Sequence, residues 1–197
     1  MYHLSIKITS RGKGKSAVAA AAYRAGEKIT NEYTGITHDY TKKSGVEHTE
    51  ILLPDNAPAE YKNRAVLWNA VEQSEKAKNS QLAREIEIAL PVELTLLENK
   101  VLVRDYVKKN FVEHGMCADI AIHNPISIDD NGNKVIGKNP HAHIMLTMRP
   151  FNDDGTWGEE SRKEYILNKQ GEKIRLASGE FKSHKVYSTD WNEQTKT

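Results

Sequence analysis

The chain has 197 residues, with 28 basic and 27 acidic side chains, a net charge of +1 and a mean hydropathy of −0.66. This composition predicts one globular domain and argues against a membrane-spanning protein, because no apolar run approaches the ~20 residues that cross a bilayer. The single cysteine, Cys117, excludes an internal disulfide and a cysteine-rich zinc site. We therefore expect a cytoplasmic protein without membrane insertion.

Positive charge is concentrated at the two ends of the chain. Residues 1–30 contain six basic residues and one acidic residue, and residues 162–197 carry a net charge of +3. This segregation favours a polyanion-binding surface to which both ends contribute. The alternative is that these lysines and arginines are ordinary solvated surface residues, and charge alone does not decide between the two.

The first elements are predicted to be a strand and a helix joined by a glycine-rich turn. Leu4, Ile6 and Ile8 alternate with polar residues, which is typical of a half-buried strand. Ser16 is suited to cap an alanine-rich helix over about residues 17–29. The turn ends in Gly-Lys-Ser, but a P-loop needs a glycine where Thr9 stands, so we expect no nucleoside triphosphate site. The turn can still offer N–H groups and lysines to a DNA phosphate.

The remaining elements predict an α+β fold. Residues 30–50 indicate an irregular or hairpin segment, followed by a helix over about 58–79 and a strand over 83–90. A capping box opens a third helix that ends near residue 115, and strands follow over 118–123 and 141–147. Asn131-Gly132 predicts a hairpin within the insertion 124–140. The tail 150–197 is expected to form a second irregular segment with a short helix near residue 190. We expect one domain, with a central, mainly antiparallel sheet and helices packed on its faces.

Histidines and carboxylates are predicted to share one face of this sheet. His141 and His143 alternate with apolar residues, so their rings point the same way about 6–7 Å apart and bracket a metal ion. His123 ends the preceding strand and is expected to be the third ligand. Glu85 and Glu87 lie on the polar face of another strand and are suited to orient the ring N–H groups. The alternative is that these are surface histidines on an edge strand.

Three motifs together carry a resemblance to a known family. They are the helix 16–26 with its Tyr23-Arg24 pair, the segment Glu85-Ile86-Glu87 continuing to Pro91, and His123 followed by Asn139-Pro140-His141-Ala142-His143. In this order they resemble the MobA/MobL (MOBQ) plasmid relaxases, which are HUH-type endonucleases of conjugation, over roughly residues 1–150. The resemblance implies an HUH relaxase-like sandwich, and a relaxase domain over 1–197 that forms the N-terminal part of a longer protein.

The resemblance also implies a function for each motif. Tyr23, which on its own would be a boundary residue of a packed helix, is expected to be the nucleophile that nicks one DNA strand and forms a 5′-phosphotyrosyl intermediate. His123, His141 and His143 are expected to hold a divalent metal, Mg²⁺ or Mn²⁺, with Glu85 and Glu87 as the acidic catalytic motif. The implied partners are origin-of-transfer DNA with an adjacent hairpin, relaxosome accessory proteins and a type IV secretion coupling protein.

Two sets of residues are candidates for DNA binding. Near Tyr23, the basic residues Arg11, Lys13, Lys15 and Arg24 are suited to hold the phosphates that flank the scissile one. At the tip of the 124–140 insertion, Asn131, Asn133 and Lys134 are suited to read base edges or a hairpin groove. The alternative for the insertion is a solvent loop without a DNA role.

Two other functions remain open at this point. One is a non-enzymatic module that binds single-stranded or hairpin DNA through its basic and aromatic residues. The other is a small metal-dependent phosphodiesterase that uses activated water and forms no covalent adduct.

Overall fold

The computed structural model describes residues 3–128, 134–136 and 139–189. In chain order the elements are β1 (Leu4–Ser10), α1 (Ala17–Ala25), β2 (Lys28–Asn31), β3 (Ile36–Asp39), β4 (Val46–Leu52), α2 (Arg64–Ser74), β5 (Gln81–Ala89), α3 (Leu96–Asn110), β6 (Ala118–His123), β7 (Ile126–Ile128), β8 (Lys134–Ile136), β9 (His141–Leu146), β10 (Ser161–Tyr165) and β11 (Ser183–Tyr187). None of the helices in these ranges is long and apolar enough to cross a bilayer.

The central sheet has five strands in the order β1-β5-β9-β6-β4, and every neighbouring pair is antiparallel. This confirms the predicted α+β class and the mainly antiparallel sheet. The central strand is β9, which has β5 on one side and β6 on the other. Side chains alternate between the two faces of a strand, so the polar positions of β5, β6 and β9 share one face and their apolar positions the other.

Helices cover both faces of the sheet. α1 and α2 pack on the polar-position face, where Val18, Leu67 and Trp68 belong to a buried cluster that also includes Met145 of β9. α3 packs on the opposite face, where Val103 and Val107 join the apolar side chains of the sheet. The predicted capping box of α3 is present, because Thr95 and Glu98 exchange hydrogen bonds. The chain therefore forms three layers, with the predicted site between the sheet and α1.

The first helix is shorter than predicted. Ser16 caps α1 by accepting a hydrogen bond from the Ala19 N–H, and the buried Glu72 carboxylate accepts one from the Ala17 N–H at 2.8 Å. The helix ends at Gly26, which has a φ of 67°, so the expected extension to residue 29 is wrong. Because Ser16 and Glu72 already satisfy N–H groups at the start of α1, this terminus is not an open anion site.

Three further expectations differ from the structure. β4 begins within the segment 30–50 that was expected to be irregular or a hairpin, although β2 and β3 do form a hairpin there. The helix expected over 58–79 is a 3-10 turn at Ala59–Lys62 followed by the shorter α2. Leu4 and Ile6 are 61% and 59% exposed rather than half-buried, because β1 is an edge strand beyond the cluster under α3.

Two further hairpins pair outside the central sheet. β7 and β8 pair within the 124–140 insertion, which agrees with the predicted hairpin. Asn131 and Asn133 lie outside the described residues, as does the side chain of Lys134. β10 and β11 form a second hairpin in the tail, with isolated bridges continuing beyond it. The short helix expected near residue 190 also lies outside the described residues.

Candidate active site

The three histidines meet where β6 and β9 pair. His123 is directly opposite His141, and Ala121 is opposite His143, so the three rings share the polar face of the sheet. The ring centroids of His123 and His143 are 4.8 Å apart, and one ring nitrogen from each histidine lies within 4.8 Å of the others. This spacing, given by strand register, forms a group that could hold a metal ion.

Each histidine ring is oriented by one hydrogen bond. His143 Nδ1 lies 3.0 Å from Glu85 Oε1, and His141 Nδ1 lies 2.9 Å from the Asn139 carbonyl oxygen. His123 Nε2 lies 2.6 Å from the carbonyl oxygen of Arg24. Carbonyls and carboxylates only accept, so each of these nitrogens is the donor, and the other nitrogen of each ring keeps its lone pair for a ligand.

Burial favours the neutral form of the His123 ring. His123 is 6% exposed, and burial lowers its pKa to about 4, even though the hydrogen bond to the Arg24 carbonyl acts in the opposite direction. A neutral imidazole is the form that binds metals. The ring is therefore ready to act as a ligand at neutral pH.

Glu85 connects the histidine group to α1. Arg24 Nε and Nη2 donate to the two carboxylate oxygens of Glu85, and Glu85 Oε1 accepts from His143 as well. Burial raises the pKa of Glu85, but the hydrogen bonds from His143 and Arg24 outweigh it and hold that pKa at about 2. The predicted hydrogen bond between one of the glutamates and a histidine is present, and Glu85 makes it.

The other carboxylates on this face have different partners. Glu87 is paired with Lys7 at 3.2 Å in a partly exposed contact, two residues along β5 from Glu85. Asp119, which the strand pattern places on the same face as His123, is buried and accepts hydrogen bonds from Arg64 and from the indole of Trp68. Asp119 thus fastens α2 to the sheet, whereas Glu85 contacts the histidine group.

Tyr23 lies on the last turns of α1 with 46% of its surface exposed. The residue that follows it, Arg24, contacts the site twice, through its guanidinium with Glu85 and through its carbonyl with His123. The helix that carries Tyr23 is therefore joined directly to the histidine group. Two contacts of the Tyr23 ring, with Tyr40 and Lys43, had no signal in the sequence, because a turn about 20 residues away supplies them.

The four basic residues predicted to bind DNA near Tyr23 fall into two groups. Lys13 and Lys15 are exposed. Arg11 folds back, donating to the Glu72 carbonyl at 2.7 Å and to its carboxylate at 3.1 Å, and it stacks 4.3 Å from the Tyr33 ring centroid. Arg24 is committed to Glu85. Their charge made all four residues equal candidates for DNA binding, but only the two lysines extend into solvent.

A groove of about 560 Å³ runs beside Tyr23, between α1 and the β2–β3 hairpin. Its lining includes Lys15, Tyr23, Arg24, Tyr33, Ile36 and Tyr40. Tyr33 and Ile36 are 56% and 55% exposed, so an aromatic ring and an aliphatic side chain are presented together with basic groups. Flat rings and positive charge are the features by which proteins bind single-stranded nucleic acids.

This fold and site define an α+β domain that carries a group of three histidines on one face of an antiparallel sheet. The chain belongs to the MobA/MobL family, whose sequence profile matches residues 15–197. It is 42% identical to the mobilization protein MobL of Acidithiobacillus ferridurans over 179 residues, which is 82% of this chain and 46% of that protein. It is 39% identical to the conjugal transfer protein TraA of Agrobacterium fabrum, over 91% of this chain and 16% of that protein.

A solved structure has the same fold. It comes from work on the molecular basis of vancomycin resistance transfer in Staphylococcus aureus, and it matches with a TM-score of 0.75 and 31% identity over 98% of this chain and 82% of that chain. The chain spans less than half the length of the MobL and TraA relatives.

Proposed function

We propose that this domain nicks one strand of DNA at a plasmid origin of transfer and stays attached to it through Tyr23. The observation that carries the proposal is the double contact of Arg24, which joins the helix of Tyr23 to two of the three histidines, directly and through Glu85. The mobilization and conjugal transfer relatives support the same function. A nucleophile beside a metal-binding group is the arrangement that phosphodiester cleavage requires.

A divalent ion would be held by His123, His141 and His143. The donor set fits such an ion, because each ring has one nitrogen committed as a donor and the other available as a ligand. When bound, the ion supplies Lewis-acid stabilisation of the anionic phosphate. Mg²⁺ and Mn²⁺ are the first ions to test, while imidazole ligands also suit softer divalent ions such as Zn²⁺.

The proposed reaction exchanges one phosphate ester for another. The Tyr23 Oη attacks phosphorus, the bond from phosphorus to the 3′ oxygen breaks, and the phenol proton leaves for solvent while the 3′ oxygen gains one. The products are a 5′-phosphotyrosyl adduct and a free 3′-OH. Since an ester is kept, a 3′-OH can later attack the adduct and release Tyr23, so the step is strand transfer rather than hydrolysis.

The DNA strand is proposed to follow the groove beside Tyr23. Lys13 and Lys15 are the candidate contacts to flanking phosphates, because both are exposed at the turn before α1. Tyr33 offers a ring for stacking a base. Arg11 and Arg24 act instead as positioning residues, since their guanidinium groups are held by Glu72 and Glu85.

Origin recognition is proposed to involve the 124–140 insertion. Its base is fixed beside the site, because it joins the strand of His123 to the strand of His141. Asn131, Asn133 and Lys134 are the candidate base-reading residues. Relaxosome accessory proteins and a type IV secretion coupling protein are the proposed partners, in the cytoplasm of the donor cell.

The decisive experiment is a denaturing-gel assay for a covalent adduct between the protein and a single-stranded origin oligonucleotide, with and without metal. Tyr23→Phe should bind the oligonucleotide normally and form no adduct, because only the nucleophilic oxygen is removed. The matched control is Tyr33→Phe, which should still form the adduct. Equal adduct yield from Tyr23→Phe would assign the nucleophile elsewhere. Tight binding by the wild-type protein with no adduct would favour a non-enzymatic DNA-binding module.

A further inference from the structure

The turn between β3 and β4 holds the Tyr23 ring on two sides. Lys43 Nζ lies 3.8 Å from the ring centroid and donates a hydrogen bond of 2.9 Å to the Tyr23 carbonyl oxygen. The edge of the Tyr40 ring packs on Tyr23 with the centroids 5.2 Å apart and the ring planes at 86°. A cation over an aromatic face and an edge-to-face ring are both attractive contacts with defined geometry.

The turn is itself fixed at both ends. The Tyr40 N–H donates to the Glu27 carbonyl at 3.1 Å, and the Asn124 N–H donates to the Gly45 carbonyl at 2.8 Å. Gly45 has a φ of +82°, and a Cβ there would lie 2.9 Å from the Asn124 carbonyl oxygen, so no other residue fits without a shift. Asn124 directly follows His123. The turn that holds Tyr23 is thus fastened to the strand end that carries a histidine of the site.

The Lys43 ammonium lies in a partly desolvated position. Burial, chiefly, and the neighbouring Arg24 lower the pKa of Lys43 to about 8, while Glu85 acts in the opposite direction. The group therefore carries its charge at neutral pH. Electrostatic interactions are stronger in such surroundings than in water, which strengthens the contact of this charge with the face of the Tyr23 ring.

We infer that Lys43 is a positioning residue for the nucleophile, holding the face of the Tyr23 ring and the carbonyl of the same residue so that the ring is oriented for attack. The inference rests on the proposed function, because it assigns a role within that reaction. Lys43 takes no proton in the step: the phenol proton leaves for solvent, and the ammonium keeps its contacts with the ring face and the backbone carbonyl. The same contacts orient the ring when Tyr23 is released in the reverse step, so Lys43 accelerates both directions.

The test compares Lys43→Met with Lys43→Arg in single-turnover adduct formation at saturating oligonucleotide. Lys43→Met should slow the step by roughly 5–30-fold, the range that a partly desolvated cation over a ring supplies. Lys43→Arg keeps the charge and should recover most of the rate. Lys42→Met is the matched control, since Lys42 is the exposed neighbour on the same turn, and its rate should stay within about twofold of wild type. Lys43→Gln should show the same slower rate as Lys43→Met. Agreement between the two variants makes a folding defect of either one an inadequate explanation of the slower rate.

Two further readouts separate this role from others. Release of Tyr23 by an added 3′-OH strand should slow by a similar factor, leaving the final adduct fraction little changed. Oligonucleotide affinity and metal affinity should stay at the wild-type values. Three results would overturn the inference while leaving the proposed function standing. They are a wild-type rate in Lys43→Met, no recovery of the rate in Lys43→Arg, and a loss of oligonucleotide affinity large enough to explain the slower reaction. Absence of adduct in the wild-type protein would overturn both.

Discussion

Replacing Glu85 by Gln should reduce both the stability of the protein and the affinity of the histidine group for metal. Glu85 accepts two hydrogen bonds from Arg24 and one from His143, and it is 4% exposed. Gln keeps the shape of the side chain but removes the charge. The positive charge of the partly buried Arg24 guanidinium then has no negative partner on Glu85. Removing one partner of a buried ion pair is strongly destabilising, because the other charge stays buried without compensation.

The size of the stability effect follows from the pKa of Glu85. That pKa is about 2, against an ordinary value of 4.5. A difference of this size contributes about 3 kcal/mol to the free energy of unfolding at neutral pH, since each pKa unit is worth 1.36 kcal/mol. Because the pKa is lowered on folding, the contribution is complete above pH 4.5 and is lost as the pH falls towards 2. The stability gap between Glu85→Gln and wild type should therefore narrow in acid.

The assay is urea unfolding of the metal-free protein, followed by tryptophan fluorescence at pH 7 and at pH 3. Glu87→Gln is the matched control, because Glu87 is on the same strand face but its partner Lys7 has 56% of its side chain exposed. Exposed pairs contribute at most about 1 kcal/mol. Metal titration of the same proteins should show about 10–100-fold weaker binding only for Glu85→Gln. An equal loss of stability and metal affinity in both variants would refute the reasoning. A stability difference between Glu85→Gln and wild type as large at pH 3 as at pH 7 would also refute it.

The remaining predictions concern the metal, the phosphates and the origin sequence. His141→Ala should weaken metal binding and nicking together, because a three-ligand site loses its geometry with one ligand; calorimetry measures the first and the adduct assay the second. Replacing Lys13 and Lys15 by alanine should lower the log–log salt slope of single-strand binding by about 0.7 for each lost phosphate contact. Replacing residues 127–136 with a short glycine-containing turn should reduce discrimination between the origin and a scrambled sequence while leaving metal binding intact.

Each of these has a result that contradicts it. Unchanged metal affinity in His141→Ala would remove that residue from the ligand set. A wild-type salt slope in the double lysine variant would place the phosphate contacts elsewhere. Full origin discrimination without the insertion would make it a connector, and the basic residues near α1 would then be the next to test.

The strand faces could be predicted from sequence because their pattern is local. In β9, His141 and His143 alternate with Ala142 and Ile144, and a strand places such neighbours on opposite faces whatever it pairs with. The register was not predicted, because a shift of two residues keeps every side chain on the same face; the structure sets His123 opposite His141. β4 was missed because its residues 47–50 are all polar, so the apolar residues of the strand are confined to its two ends.

The roles of the arginines could not be predicted, because their partners are distant in sequence. Arg24 and Glu85 are 61 residues apart, as are Arg11 and Glu72. Charge density marks both arginines as candidates for phosphate, but a buried carboxylate nearby competes for the same donors. Only tertiary structure distinguishes Lys15, which extends into solvent, from Arg24, which is held by Glu85.

The early end of α1 has a consequence for the site. In an α-helix the carbonyl of residue i is bonded by the N–H of residue i+4, so a helix continuing to residue 29 would use the Arg24 carbonyl internally. Gly26 stops the helix, and the carbonyls of its last turn are left without helical partners. The Arg24 carbonyl then accepts the hydrogen bond of His123. Gly26, which ends α1 four residues before the predicted boundary, thus allows the helix of Tyr23 to dock on the histidine group.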